Sequence, residues 1–482
     1  MTEHAGQNGA GDFGRAHRRA LSDEALQRAM SGYARRQDEA RRAGAPRSAE
    51  EWERLRERGR QVREHALAHL DYYIEQFAAN VERRGGRVFW AEDARAANEY
   101  IVRLARERGV RSAVKGKSMM SEEVGLNHAL EAAGVRAVET DLGEYIVQLA
   151  GERPSHINMP AVHKTRADVA DLLAERHGTP RTEDIPEMTA LARRTLRARF
   201  AEAGMGVTGV NFAVAETGTL VLVENEGNIR MATTLPRVHV ALMGMEKVVP
   251  RLRDLSVLLP LLTLSASGQE MCTYVSMLTG VKESGAGEGP EELHVVILDN
   301  GRSAMLADAE LRESLCCVRC GACLNACPVY RKVGGHAYGW VYPGPIGSVL
   351  TPQLIGLGRA AELPFASSLC GACRDACPVK IDIPRMLLRL RQEVKEGGEV
   401  GAGDAERGKT SFRARLAALA ERGAFRLWAS AMKDARRYRI AARAARTARG
   451  VLRRWRRAAD FPQPAPRSFR DLWAEGERER LK

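Results

Sequence analysis

No stretch of this 482-residue chain reaches the ~18 consecutive apolar residues that a membrane span needs. The longest candidate, Leu255 to Leu264, is short and carries Pro260. A spanning helix is therefore not expected. No apolar segment follows the paired Arg18 and Arg19 either, so no translocation signal is expected and the thiols fit a reducing cytoplasm. Aromatic residues make up only 5%, unremarkable in an Ala/Arg-rich chain, and the 44% hydrophobic content still supports real cores in two to four domains. Net charge is missing from the first 400 residues, where acids and bases cancel. The whole +13 lies in Gly401 to Lys482, with 22 Lys/Arg against 9 Asp/Glu.

What the chain does have is nine cysteines, eight of them in two clusters. The first cluster contains Cys317, Cys320, Cys323 and Cys327, followed by Pro328 and preceded by Cys316. It matches the bacterial ferredoxin run C-x2-C-x2-C-x3-C-P. The second is Cys370, Cys373 and Cys377, followed by Pro378, the same run without its first cysteine. Two-residue gaps let a tight loop wrap three thiolates around one iron–sulfur cube. The fourth cysteine of such a run serves the other cluster. Cys317, Cys320, Cys323 and Cys377 are thus expected to hold one cluster, and Cys327, Cys370 and Cys373 the second. The second is one ligand short. Ser367 sits where the missing cysteine would fall, and Cys316 and Cys272 are other candidates. A three-iron cluster or an open iron are the remaining alternatives. Zinc also uses C-x2-C pairs, but seven thiolates in two Cys-Pro-terminated runs suit its four-ligand sites poorly. On their own, Cys272 reads as a small buried hydrophobe and Cys316 as a spare thiol.

Residues 1–47 read as a disordered or loosely helical segment. Residues 48–83 carry an apolar stripe and predict one long helix, closed by Arg84-Gly85-Gly86. Strand and helix then alternate: strands at Arg87–Trp90, Val110–Val114 and Val135–Glu139, a helical stretch near 165–203, and strands at Val210–Ala215, Thr219–Glu224, Val238–Met243 and His294–Leu298. This rhythm predicts an open parallel α/β sheet over 48–300. Residues 301–400 predict a small helical ferredoxin-like domain with a Gly/Pro-rich linker at Gly334–Gly347. Residues 401–482 predict a basic helical tail.

Lys115-Gly116-Lys117-Ser118 lies between a predicted strand and helix, where anions bind, but lacks the glycine spacing of a P-loop. Glu216, Glu224 and Glu226 bracket a short strand and suit either a pocket or solvated turns. His156 and His163 make a poor metal pair, because Pro160 breaks the helix that would align them. The tail suits an anionic membrane surface, an acidic partner or nucleic acid, or is simply a solvated helix. Arg453-Arg454-Trp455-Arg456-Arg457 has the look of an interfacial anchor. No helix-turn-helix or finger pattern supports nucleic acid.

The segment Ala215-Glu216-Thr217-Gly218-Thr219 through Val223-Glu224-Asn225-Glu226-Gly227-Asn228, then Thr233-Thr234-Leu235-Pro236-Arg237-Val238-His239 and both cysteine runs, resembles the lactate utilization protein B family. The likeness spans about residues 50–400 and a tail motif near Pro464–Trp473. Ile229 stands where a glycine is expected. The resemblance implies a LUD domain, related to the open α/β fold of CoA transferases and sugar-phosphate isomerases, with Lys117, Glu216 and Glu224 bordering a pocket. It implies two iron–sulfur clusters of the [4Fe-4S] type and a seven-cysteine set. It also implies two companion subunits, one with cysteine-rich repeats and one a lone LUD domain, which together oxidise L-lactate to pyruvate. The chain then reads as a cytoplasmic electron-transferring subunit that touches the inner membrane through its tail. A CoA-transferase-like enzyme with accessory clusters, or a redox-sensing nucleic-acid binder, are the alternatives.

Overall fold

The computed structural model describes residues 12–44, 48–283, 288–396, 423–447, 465 and 467–474. The chain divides into two compact units, 1–405 and 406–482.

The first unit is built on two sheets. Six strands form the larger one: β1 (Arg87–Ala91), β2 (Ser112–Lys115), β3 (Arg136–Glu139), β4 (Met205–Gly209), β7 (Val238–Gly244) and β10 (Glu292–Leu298). Their order is β1-β10-β7-β4-β2-β3, and every neighbouring pair is parallel. Helices cover both faces, so the central strands β7 and β10 are buried along nearly their whole length.

β5 (Phe212–Val214), β6 (Thr219–Glu224), β8 (Val248–Val249) and β9 (Tyr274–Leu278) form a second sheet, in the order β8-β5-β6-β9. The sequence reading places β5 and β6 with the other strands. Instead they pair as an antiparallel hairpin through Glu216-Thr217-Gly218. The chain leaves the first sheet at Gly209 and enters the second within three residues. The strand it leaves, β4, is absent from the sequence expectation because of its glycines. Gly206 is obligatory there: an added Cβ would lie 1.8 Å from the Ala232 carbonyl oxygen.

The predicted long helix breaks at His69 into Ala49–Ala68 and Leu70–Arg83. A more instructive departure is the N-terminal segment. Residues Phe13–Ser22 and Glu24–Ala43 are helices, and Met30, Tyr33 and Gln37 are buried. They lie on the cysteine module. Tyr33 Oη donates to Asn325 Oδ1 (2.7 Å), and the Arg331 guanidinium grips Asp38 through both oxygens (2.5 and 2.9 Å).

The module itself is a set of short helices: Ala322–Ala326, Tyr330–Val333, Gly344–Ile355, Ala372–Ala376 and Ile383–Glu396. Gly334–Gly347 does not act as a linker. Tyr338, Tyr342 and Ile346 within it are buried. Module and α/β unit share one hydrophobic core, which runs from Phe212 and Leu258 through Leu315 to Ile346 and Leu387. Buried Arg63 ties the two together by donating to the carbonyls of Cys316 (3.3 Å), Leu315 (3.0 Å), Val248 (3.1 Å) and Glu246. Such a charge is tolerable because each of its three nitrogens finds a carbonyl oxygen.

In the second unit, residues 423–432 and Ala435–Thr447 are helical and no side chain of the latter helix is buried. A short helix, Phe469–Ala474, follows. Arg453–Arg457 lies outside the described residues. Among the described residues, no helix is long and apolar enough to cross a membrane.

Candidate metal centres and an adjoining pocket

The two cysteine loops are copies of one backbone, 50 positions apart. In the first, Arg319 (φ 61°) and Gly321 (φ 76°) are left-handed, and the helix Ala322–Ala326 follows. In the second, Leu369 (φ 55°) and Gly371 (φ 85°) are left-handed, and Ala372–Ala376 follows. A left-handed non-glycine is costly, and its appearance at the same step of both loops marks a functional turn. That turn aims an amide back at the first ligand position. Arg319 N donates to Cys317 Sγ (3.4 Å), and Leu369 N donates to Ser367 Oγ (3.1 Å). Ser367 therefore occupies the counterpart of Cys317 in backbone terms. Further amides point at sulfur: Tyr330 N at Cys327 Sγ (3.5 Å) and Ile381 N at Cys377 Sγ (3.4 Å). Amide–sulfur bonds of this kind stabilise a thiolate and help set the potential of a cluster held there.

Cys317, Cys320, Cys323 and Cys377 line one small apolar cavity with Ile157, Ile346 and Ile381. They are the four that the ligand-crossing rule groups. Burial pushes the thiols of Cys320 and Cys323 up, and that of Cys377 up to about 12. Left alone these are neutral thiols. A metal that binds them must displace their protons, and its charge then compensates the buried thiolates. Four convergent thiols in an apolar cavity fit an iron–sulfur cube. Cys327, Cys370 and Cys373 lie together in the second place. There Cys370 is exposed, and hydrogen bonding from Ser368 holds its thiol below the ordinary value. Cys316 lies near Cys377: burial raises its thiol to about 12, with Arg63, Glu64 and Glu313 as its charged neighbours. Cys272 lines the adjoining pocket rather than the thiol-lined cavity, with Sγ donating to the Tyr274 carbonyl (3.2 Å). Of the candidates for the missing ligand, only Ser367 stands at the second loop.

Beneath the first loop lies a buried charge network. Arg302 bonds Glu246 (2.8 Å) and both oxygens of Glu123 (2.8 and 2.9 Å). Tyr342 Oη donates to Glu123 (2.6 Å), and Arg319 stands 3.7 Å from Glu246. The nearby Arg302 guanidinium holds Glu246 down at about 2 against the opposing effect of burial.

Against this network opens a cavity of about 390 Å³. Its walls come from the carboxyl ends of parallel strands, where open sheets bind ligands. Lys117 follows β2, Asp141 follows β3, Gly209 ends β4 and Lys247 follows β7. Glu224 and Glu226 add to one wall, and Arg319 and Tyr342 of the cysteine module close the other. Of the three pocket candidates from sequence, Lys117 and Glu224 meet here. Glu216 does not. It sits at the opposite end of β6, accepting from Leu252 N (2.9 Å). A six-residue strand separates Glu216 from Glu224, a span of roughly 20 Å. Glu224 itself accepts from Ile229 N (2.7 Å) and Arg230 N (2.8 Å), and so caps the helix Asn228–Thr234. Lys115 is structural, buried against Glu139 (2.5 Å).

The two histidines part company. His156 is buried with Nδ1 accepting from Asn158 N (3.0 Å) and Met159 N (3.1 Å), which leaves Nε2–H for Asn325 Oδ1 (3.1 Å). His163 instead joins Glu152 (2.6 Å) beside His336, and Lys164 shares that carboxylate.

Sequence reasoning missed Lys247, Arg319 and Tyr342. Arg319 had one signal, its place between two cysteine ligands.

Three family models match the chain: the LUD domain over residues 74–298, the 4Fe-4S dicluster domain over 313–381, and the lactate utilisation protein B C-terminal region over 389–478. Lactate utilization protein B of Bacillus cytotoxicus is 44% identical over 439 residues, covering 88% of this chain and 89% of its own. That of Oceanobacillus iheyensis is 42% identical over 437 residues, covering 88% of each. That of Shouchella clausii is 45% identical over 385 residues, covering 80% and 81%. A crystal structure of a DUF162 family protein from Deinococcus radiodurans is a weak likeness, 13% identical with a TM-score of 0.27, covering 48% of this chain and 98% of its own. The thiol geometry and the dicluster match agree that iron–sulfur clusters are the cofactors. With most of its length aligned to these relatives, the chain belongs to the lactate utilization protein B family.

Proposed function

We propose that this chain is the electron-transferring iron–sulfur subunit of a complex that oxidises L-lactate to pyruvate. The observation that carries the reading is the doubled cysteine loop, with one copy buried against the pocket and the other open to the surface. Lactate becomes pyruvate by losing two electrons and two protons. A cluster carries one electron at a time, so two neighbouring clusters suit a two-electron donor. Cys317, Cys320, Cys323 and Cys377 hold the inner cluster. Cys327, Cys370 and Cys373 hold the outer one, with Ser367 at its fourth corner. Electrons leave through the outer cluster to an acceptor, membrane quinone by way of a partner. Two companion subunits complete the complex, one with cysteine-rich repeats and one a lone LUD domain. The chain works in the cytoplasm. Its basic tail docks it on the anionic inner leaflet, where each Lys or Arg near the surface contributes about 1 kcal/mol. Deleting residues 410–482 then removes salt-sensitive binding to anionic vesicles. Unchanged binding refutes the docking.

The test is anaerobic. The full chain is mixed with both companions and L-lactate, and cluster reduction is followed by EPR. The expected result is reduction that requires lactate. Clusters that dithionite reduces and lactate leaves oxidised contradict the proposal.

A further inference from the structure

The cavity beside the inner loop is unusual for what its cations lack. Lys247 is only 7% exposed. Among the described residues no hydrogen bond or ion pair engages its ammonium. Its sequence neighbour Glu246 is already held by Arg302 (2.8 Å). Arg319 is 9% exposed and lies 3.7 Å from that same carboxylate, with Nη1 buried and without a hydrogen-bond partner. Two arginines and a lysine thus crowd two acids, Glu246 and Glu123. Burial and the repulsion of Arg319 bring Lys247 down to about 8, despite the attraction of Glu246. Lys247 thus lines the cavity as a buried cation with no bonded anion, beside an arginine with one unsatisfied nitrogen, and a negatively charged ligand would relieve both.

The ligand's charge and size follow from the walls. A planar guanidinium beside an ammonium matches a carboxylate. Elsewhere the cavity carries Asp141, Glu224 and Glu226 against the single cation Lys117, a balance that disfavours a second negative charge on the ligand. Leu262 and Ala266 offer a short apolar surface. About 390 Å³ is the scale of a small-molecule site.

We infer that this pocket binds a small 2-hydroxy- or 2-oxo-monocarboxylate, its carboxylate held by Lys247 and Arg319 beside the inner cysteine loop. The carboxylate head follows from the cations alone, whereas the 2-hydroxy or 2-oxo group rests on the proposed lactate function. The site joins the two halves of the first unit: Lys247 comes from the LUD sheet and Arg319 from between Cys317 and Cys320. Its occupant sits close to the inner cluster, because Arg319 N also donates to Cys317 Sγ (3.4 Å).

The experiment uses the full chain with its clusters reconstituted anaerobically. L-lactate, pyruvate, lactamide and inorganic phosphate are titrated by calorimetry, and EPR of the reduced protein is recorded with and without pyruvate. The expected result is saturable binding of lactate or pyruvate, none of lactamide, and a perturbed inner-cluster signal. Lys247→Met is expected to weaken binding tenfold or more with unchanged iron content. Arg319→Lys does the same, but sits inside a ligand loop, so Lys247→Met is the deciding variant. Equal binding of lactamide or phosphate overturns the inference. So does the absence of binding in protein that retains both cluster signals, an outcome that leaves the electron-transfer reading standing. A protein without reducible clusters that still binds pyruvate through Lys247 supports the site and removes the electron-transfer reading.

Discussion

The two cysteine loops share a backbone and differ in their surroundings. The inner loop has four thiols, an apolar cavity and a buried charge network beneath it. The outer loop has three cysteines with a serine in the fourth place, and one thiol in the open. Different residues anchor them. The inner loop rests on Arg63 and the Arg302 network. The outer one is held by Arg391, donating to the carbonyls of Pro364 (2.8 Å) and Ser367 (2.9 Å). One repeat thus supplies both an insulated centre and an accessible one. Depth, rather than loop geometry, separates their roles.

The sharpest way to break this contrast is to remove Arg302. Arg302→Met removes the cation bonded to both Glu123 and Glu246 and leaves two buried carboxylates short of positive charge, a loss of about 3–5 kcal/mol. Glu313→Gln, which removes a surface ion pair with Arg385, is expected to cost less than about 1 kcal/mol. Denaturant unfolding of the two variants compares them directly. Equal losses would mean that the inner loop is no more deeply anchored than the surface.

Ligand removal comes next. Cys320→Ala is expected to abolish the inner cluster and lower the thermal midpoint, because that thiol is buried in the shared core. Cys370→Ala removes only the outer cluster and leaves the fold intact. Iron content and circular dichroism on both variants decide. Retention of both clusters in Cys370→Ala would contradict the ligand assignment.

Ser367→Cys erases the compositional difference between the loops. The variant is expected to hold its outer cluster through air exposure better than the parent, read as a smaller three-iron EPR signal after oxidation. No change would place the serine outside the cluster.

A pH slope offers a further test. Burial lowers His156 from 6.5 to about 3, so the folded protein keeps it neutral while the unfolded chain binds a proton. Its contribution is complete above 6.5 and is lost as pH falls towards 3. His156→Gln is expected to flatten the stability–pH curve in that window by up to about 1.4 kcal/mol per pH unit. An unaltered slope would show that His156 is protonated in the folded state.

Much of this was legible in the chain. Cysteine spacing alone grouped the thiols that line the inner cavity, since the ligand-crossing rule is geometric. β1, β2, β3, β7 and β10 showed as apolar runs. β4 did not, because Gly206 and Gly209 fit close packing at the price of strand propensity. The helices at residues 13–43 were obscured by arginines. Their buried face rests on a few residues, Met30, Tyr33 and Gln37, and it acquires meaning only from the module beneath. The pocket was half visible. Lys117 and Glu224 lie at strand ends, whereas Lys247 and Arg319 come from segments that only the fold brings together.

The account rests on two clusters of unequal depth in one chain. Iron and sulfide content with EPR, on anaerobically purified protein before and after dithionite, tests it most directly. The prediction is about seven or eight irons and two reducible signals, only one of them broadened by a water-soluble paramagnetic relaxant. Zinc in place of iron, with no reducible signal, would contradict it.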